Sequence, residues 1–292
     1  MRGSAVKPTE YTMGLTRRAS MSDIVIFMCC QNGFEYIPPL CVPIQCGSAL
    51  VDGVVEICSD CDGENISEKN REYCELTAHY YAWKNISADY YGFCHDRRFF
   101  CASDSRRPYL VRGTLSEGQQ QKLFRDENYW RALIESHDIL APFPEDMGIS
   151  VREHYCTTHR CPEDLDLFMD ILAQKAPALK TSAENYLAQR KQYCRNMFVM
   201  KRGLFFEYCE YLFGILEEFD RRRPPHSDAH SDRTDKYLGE IFTGIFLSYC
   251  AECGANIAQA VRLDTGCSAK KRVACTFLTD KIRRKYIEKS KK

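Results

Sequence analysis

Residues 70–94, NREYCELTAHYYAWKNISADYYGFC, carry a helical pattern that passes into a strand across a short join. Apolar or aromatic side chains fall at Tyr73, Leu76, Tyr80 and Trp83, the spacing of a helix with one buried face, and Asn70 stands where an N-cap belongs. Upstream, Asp23–Cys30 (DIVIFMCC) and GVVEICSD (53–60) are apolar runs of strand length, and a small-residue helix is expected over Ile44–Leu50. Strand, helix, strand, helix, strand in that order points to an α/β fold: a mostly parallel central sheet with flanking helices. Ligands in such sheets bind outside the carboxyl ends of the strands. HDRR (95–98) and the acidic loop DGENISEKN (62–70) stand at two such ends and should face one crevice.

The C-terminal half is more helical. HDILAPF (137–143) and NMFVMK (196–201) have strand character. EDLDLFMDILAQ (163–174), RGLFFEYCEYLFGILEEF (202–219) and DKYLGEIFTGIFLSYC (235–250) have helical character, and a proline-marked polar loop, 220–232, separates the last two. Residues 1–20 lack apolar periodicity and are expected to form a disordered or tag-like extension. Residues 21–279 are expected to form one domain, and 280–292 a basic tail whose Lys281, Arg283, Arg284, Lys285, Lys289, Lys291 and Lys292 suit contact with anionic lipid.

Forty basic and forty acidic residues cancel, so no global charge favours nucleic acid, and an anion site must be a local cluster. No apolar run has the length of a membrane span and no signal peptide is visible, so the expected location is the cytoplasm. Seventeen scattered cysteines, an odd number, read as reduced thiols. Two CxxC pairs, Cys58/Cys61 and Cys250/Cys253, would form a structural zinc site only if they met in space. Walker, GxGxxG, GxSxG and HExxH motifs are absent, which argues against nucleotide hydrolase, dehydrogenase, esterase and zinc protease.

Adjacent Arg97 and Arg98 offer planar forks matched to a diphosphate, or else surface ion pairs. Asp96 can hold a divalent cation or pair with a neighbouring arginine, and His95 is either functional or a core histidine. His154 and His159 precede Glu163, Asp164 and Asp166, but a five-residue interval does not put two histidines on one helix face, and the carboxylates suit a helix N-terminus. Asn196, at the mouth of an apolar strand, can meet a sugar hydroxyl or simply end the pairing.

Taken together, ENISEKNREYCELTAHYYAWKNISADYYGFCHDRRFF, EHYCTTHRCPEDLD and NMFVMKRGLFFEYCEYLFGIL closely resemble a family of bacterial capsular and exopolysaccharide synthesis proteins, long described as a domain of unknown function and regarded as glycosyltransferases. The resemblance runs from about Asp23 to about Cys250. It implies a GT-A-like domain that transfers a sugar, in some members galactofuranose, from a nucleotide sugar, expected to be UDP-linked, to a polysaccharide or lipid-linked glycan, with manganese or magnesium as an expected cation. The family's NISxxNxxYCELTAxYWAWKN matches at Asn65, Ser67, Asn70, Tyr73, Glu75, Thr77, Trp83 and Lys84. Its HYRRYF is HDRRFF here: His95, Arg97 and Arg98 carry over and Asp96 departs. Cys29 and Cys30 replace the histidine and lysine that usually follow the first strand. EHYxxxH and DLD fall on Glu153, His154, Tyr155, His159, Asp164 and Asp166, and FNMFIMK on Asn196 and Met197.

By that resemblance the catalytic candidates are His95, Asp96, His154, His159, Asp164 and Asp166, with Asp96 also the candidate metal ligand. The donor-binding candidates are Asn65, Ser67, Asn70, Glu75, Thr77, Arg97, Arg98 and Asn196. Where GT-A enzymes usually place an Asp-x-Asp pair, the arginines are expected to supply positive charge. The other expectations are a non-catalytic nucleotide- or glycan-binding protein and a zinc-organised scaffold.

Overall fold

A computed structural model describes residues 22–31, 34–51, 57–105, 107–159, 162–223 and 233–266. The expectations for the extension at 1–20 and for the basic tail lie outside them.

Strand β1 (Ile24–Cys30) is the buried centre of one half of the sheet. Its side chains alternate between two cores: Val25, Phe27 and Cys29 face one, Ile26, Met28 and Cys30 the other. An alternating strand covered on both faces reads as one continuous apolar run. Parallel neighbours flank it, β2 (Cys41–Gln45) on one side and β4 (Tyr90–His95) on the other, and the two-residue β3 (Cys58–Ser59) extends the sheet beyond β2. The helix expected over Ile44–Leu50 is therefore a correction. Ile44 and Gln45 are ladder residues and only Ser48–Leu50 form a 3-10 turn. Among the described residues Pro43 has no ladder partner on the outer side of β2, so its missing N–H costs nothing. Residues 52–56 lie outside the described part of the expected strand at 53–60.

The mostly parallel sheet is also corrected: the sheet is mixed. At Asp96 and Arg97 the chain turns back at once into β5 (Arg98–Cys101), antiparallel to β4. β10 (Phe198–Lys201) runs antiparallel to both β4 and β7 (Ile139–Pro142). β11 (Ile257–Asp264) lies between β7, parallel, and β5, antiparallel, and also pairs with the short β6 (Tyr109–Val111). Because β4 pairs with β10 along most of its length and with β5 at its end, the hydrogen-bonded path β4, β10, β7, β11, β5 returns to β4. Gly92 permits the close approach of β10: a Cβ there would lie 2.8 Å from Val199 Cγ2 and 3.2 Å from the Phe198 carbonyl oxygen. A separate ribbon pairs β8 (Glu145–Asp146) with β9 (Lys191–Gln192).

The helix expected from Asn70 is interrupted. α1 (Asn70–Tyr73) stops at Cys74, whose φ is 48°, and α2 (Leu76–Asn85) starts afresh. Asn70 is not the N-cap. Its amide donates to the Cys74 carbonyl at 2.8 Å and to Thr77 Oγ1 at 3.2 Å, holding the break together. α2 is buried on two sides: Ala78, His79 and Ala82 are enclosed, while Tyr80 and Trp83 pack on Phe213 with ring centroids 5.0 and 5.8 Å apart.

Phe213 belongs to α8 (Arg202–Arg222), which packs beside α9 (Thr234–Glu252). These two, with α2, α5 (Val151–His159), α6 (Pro162–Lys175) and α7 (Lys180–Ala188), contribute to the core on one face of the sheet. α3 (Glu117–Phe124) and α4 (Glu127–Glu135) cover the other face through Phe124, Trp130 and Ile134. No helix among the described residues is long and apolar enough to cross a membrane.

Candidate functional site

The carboxyl end of β4 is where buried charge collects. His95, its last residue, is 8% exposed and donates from Nε2 to the Arg195 carbonyl at 2.6 Å; because a carbonyl only accepts, the ring proton is on Nε2. Glu75 enters from the start of α2, its Oε1 4.0 Å from His95 Nε2 and 3.1 Å from the donating Asn196 Nδ2. Asn196 Oδ1 accepts from Thr243 at 2.9 Å, and Thr243 meets the Tyr208 hydroxyl at 2.9 Å. From α9, Lys236 Nζ lies 3.8 Å from Glu75 and 4.0 Å from Glu240, and Glu240 accepts the Arg195 backbone N–H at 3.1 Å.

The backbone is strained at the points that build this cluster. Among the described residues five non-glycine positions have positive φ, and three adjoin the cluster: Cys74 (48°), immediately before Glu75, then Arg195 (79°) and Asn196 (49°). Cys74 ends one helix so that Glu75 can turn inward. The consecutive pair Arg195 and Asn196 aims a carbonyl at His95 and an amide at Glu75. Conformations of this kind cost of order 1–3 kcal/mol each and persist only where surrounding structure enforces them.

Electrostatics follow from burial. Desolvation alone would raise the Glu75 carboxyl, but Lys236, His95 and the Asn196 hydrogen bond outweigh it and hold the group below the usual carboxylate range. Glu75 in turn raises the Lys236 ammonium, against the cost of burial. For His95 burial dominates, with Arg98 and Lys236 adding to it, so the ring is held below its usual value despite Glu75. The cluster is thus a carboxylate, an ammonium and a neutral imidazole.

The hairpin extends the cluster outwards. Arg98, 21% exposed, has Nε 3.8 Å from the buried Asp264. Asp264 is also held by Arg262, which forms a further ion pair with Glu145. The Arg97 side chain is 64% exposed and lies 3.4 Å from Asp96, while its carbonyl accepts the Thr265 N–H at 2.9 Å. The Asp96 side chain is 12% exposed, and its backbone N–H donates to the Cys29 carbonyl at 3.1 Å, tying the turn to the end of β1.

The remaining expected residues fall into two groups. Ser67 and Thr77 donate to a carboxylate that sequence reasoning missed, and Asn65 and Asn70 hydrogen-bond to them, through the Ser67 N–H and the Thr77 hydroxyl. Asp60, fully buried, accepts from the N–H groups of Gly47 and Ser48 at 2.8 and 3.0 Å and from the hydroxyls of Ser48, Ser67 and Thr77 at 2.6, 2.5 and 2.5 Å. Asn65 shapes the loop by donating to the Cys61 and Gly63 carbonyls at 2.8 and 2.9 Å. The second group is on α5 and α6. His154 Nδ1 is 2.9 Å from Gln192, and Gln192 is the β9 partner of Glu145, which leads back to Arg262 and Asp264. Asp164 is buried, Asp166 is ion-paired with Arg152, and His159 is the last residue of α5.

The structure therefore joins His95, Glu75 and Asn196 in one cluster, with Asp96, Arg97 and Arg98 at its rim. It adds Lys236, Glu240, Arg195 and Thr243. Their one signal in the sequence was a pair of charges, Lys236 and Glu240, one helical turn apart on a largely apolar helix. Cys58 and Cys61 lie at β3, Cys250 and Cys253 at the end of α9, and all four are free thiols.

The family described as a domain of unknown function, DUF4422, matches residues 26–251. No curated protein matches. Among solved structures, the apo form of WbbM, a bifunctional glycosyltransferase, superposes with a TM-score of 0.78 at 24% sequence identity. The match covers 84% of this chain and 46% of the other, so this chain spans about half the length of the protein whose fold it shares.

Proposed function

This chain belongs to the DUF4422 family, and on that premise we propose that it is a glycosyltransferase acting on a nucleotide sugar at the carboxyl end of β4. What carries the reading is the strained, desolvated cluster of Glu75, His95, Asn196 and Lys236 in that place, within a fold shared with a glycosyltransferase. The donor is proposed to be UDP-linked and to carry galactose or galactofuranose. The acceptor is proposed to be a polysaccharide or lipid-linked glycan of a bacterial capsule or exopolysaccharide, and the domain GT-A-like and cytoplasmic, with the basic tail resting on anionic lipid.

In the proposed reaction an acceptor hydroxyl oxygen bonds to the sugar's anomeric carbon as the bond from that carbon to the diphosphate oxygen breaks, and the electron pair leaves on the nucleoside diphosphate. Arg97 and Arg98 stabilise the charge growing on the diphosphate. His95, neutral and carrying its proton on Nε2, has a lone pair at Nδ1 to receive the acceptor's proton. Glu75 and Asn196 face the sugar. Asp96 orients Arg97, or would hold a manganese or magnesium ion whose positive charge would stabilise the leaving diphosphate; its carboxylate is a hard oxygen ligand of the kind these cations take. His154, His159, Asp164 and Asp166 are proposed for the acceptor side, and Asn65, Ser67, Asn70 and Thr77 for donor binding through the loop that Asp60 holds.

Incubating the protein with a panel of nucleotide sugars, and measuring slow donor hydrolysis and nucleoside diphosphate release, tests the reading. Turnover of one donor is expected. Tight binding of a nucleotide with no turnover of any donor, with or without glycan, would instead make the crevice a non-catalytic binding site.

A further inference from the structure

The helix that supplies Lys236 also carries part of a second group of charges. Glu72 of α1, Asp220 of α8 and Asp235 of α9 converge so that one oxygen from each lies within 4.8 Å of the others. Asp235 is wholly buried, and neither of its carboxylate oxygens has a hydrogen-bond partner among the described residues. Buried carboxylate oxygens rarely stay without a donor or a cation.

Among the described residues two cations reach the cluster and neither completes it. Arg223 lies 3.6 Å from Asp235 and 4.0 Å from Glu72, beyond hydrogen-bond reach of both. Lys69 lies 3.0 Å from Asp220, and the Tyr73 hydroxyl donates to the same carboxylate at 2.8 Å. The Lys69 side chain is 46% exposed and free to turn into solvent, whereas that of Arg223 is 13% exposed and fixed. With Lys69 turned away, three carboxylates and Arg223 leave two negative charges, which one divalent cation neutralises.

We propose that Glu72, Asp220 and Asp235 bind a hard divalent cation, calcium or manganese, which displaces the Lys69 ammonium from Asp220. An all-carboxylate ligand set favours such ions over soft ones, and water completes their coordination. The ion would join α1, α8 and α9, fixing the helix that carries Lys236 and the one that ends two residues before Glu75, without touching the sugar donor. The proposal goes beyond the glycosyltransferase reading and does not depend on it.

The test uses the full chain with no nucleotide or sugar present. Calcium, manganese and magnesium are titrated by calorimetry, and thermal unfolding is followed alongside. The expected result is one calcium or manganese ion per chain, and a midpoint raised by about 5 °C at a hundredfold excess over Kd. Asp235→Asn should abolish both signals, and Glu72→Gln, at a half-exposed position that tolerates substitution, should weaken binding at least about tenfold. Lys69→Met should tighten binding about threefold or more by removing the competing charge. The proposal fails if millimolar calcium and manganese give neither heat nor a midpoint shift, or if Glu72→Gln and Lys69→Met bind as the parent does. It fails equally if Asp235→Asn alone raises the midpoint while the parent ignores cations, since the cluster would then hold a proton.

Discussion

Glu75 and Asn196, 121 residues apart in the chain, meet through a 3.1 Å hydrogen bond, and each is placed by a residue with left-handed backbone, Cys74 before the first and Asn196 itself for the second. Asn196→Ala removes the donor to a buried carboxylate and puts a residue less tolerant of positive φ at that position. The expected loss is about 2–4 kcal/mol in denaturant unfolding, with donor turnover falling further than stability alone explains. Asn196→Gly should recover part of the stability and none of the turnover.

Both arginines should prove necessary for donor turnover. Arg97→Ala and Arg98→Ala are each expected to lower turnover efficiency on the order of tenfold to a hundredfold, and lysine at either place should rescue only in part because it loses the fork. Asp264 keeps its pairing with Arg262, so Arg98→Ala should unfold at nearly the parent temperature. Nucleoside diphosphate binding measured by calorimetry checks both variants, and parent-like affinity in each would refute the clamp. Asp96→Ala, measured with and without EDTA, then separates a metal ligand from a group that orients Arg97.

His79 makes stability depend on pH. It is wholly buried, its ring stacks on Phe93 with centroids 3.9 Å apart, and neither nitrogen has a hydrogen-bond partner among the described residues. Burial holds its pKa well below the ordinary value. The unfolded chain therefore binds a proton below about pH 6.5 that the folded one refuses, and the stability present above that pH is lost as pH falls, at up to about 1.4 kcal/mol per pH unit. His95, shifted the same way, adds to the loss. Urea unfolding of His79→Phe between pH 7 and pH 5 should show a shallower decline than the parent, and an equal slope would remove His79 from the account.

The loop after β3 depends on Asp60. Thr77→Val keeps shape and removes one of five donors to a fully buried carboxylate, with an expected cost of about 1–3 kcal/mol. Asp60→Ala strands all five donors and should yield little soluble protein. Thermal unfolding of Thr77→Val with a parent-like midpoint would mean that the loop is held by something else.

What could be read from the chain follows from how far each element's reasons lie from it. β1, β4, β7, β10, α6, α8 and α9 were legible because each is an apolar run whose period declares it. β11 was not. Its sequence IAQAVRLD contains Arg262 and Asp264, charges that look solvated yet are buried because they neutralise each other, with Glu145, inside the fold. The parallel pattern of the first strands was extrapolated past Asp96, where a two-residue turn reverses the chain. At the site, His95, Glu75 and Asn196 were named from motif resemblance, but nothing local announced that Arg195 and Thr243 would meet them. Asn65, Ser67, Asn70 and Thr77 were likewise named from the motif; the carboxylate that Ser67 and Thr77 serve, Asp60, stood at the end of an expected strand with nothing beside it in sequence to mark it as buried.

β11 is the last described strand in the chain, and it fills the gap between β5 and β7. Until residues 257–264 have been synthesised, β5 and β7 present open edges that can pair with another chain, and Arg98 lacks Asp264. Assembly at the ribosome is therefore held back to a late closing step: a nascent chain halted before residue 257 should be sticky, dependent on chaperones and unable to form the β4–β5 hairpin in final form.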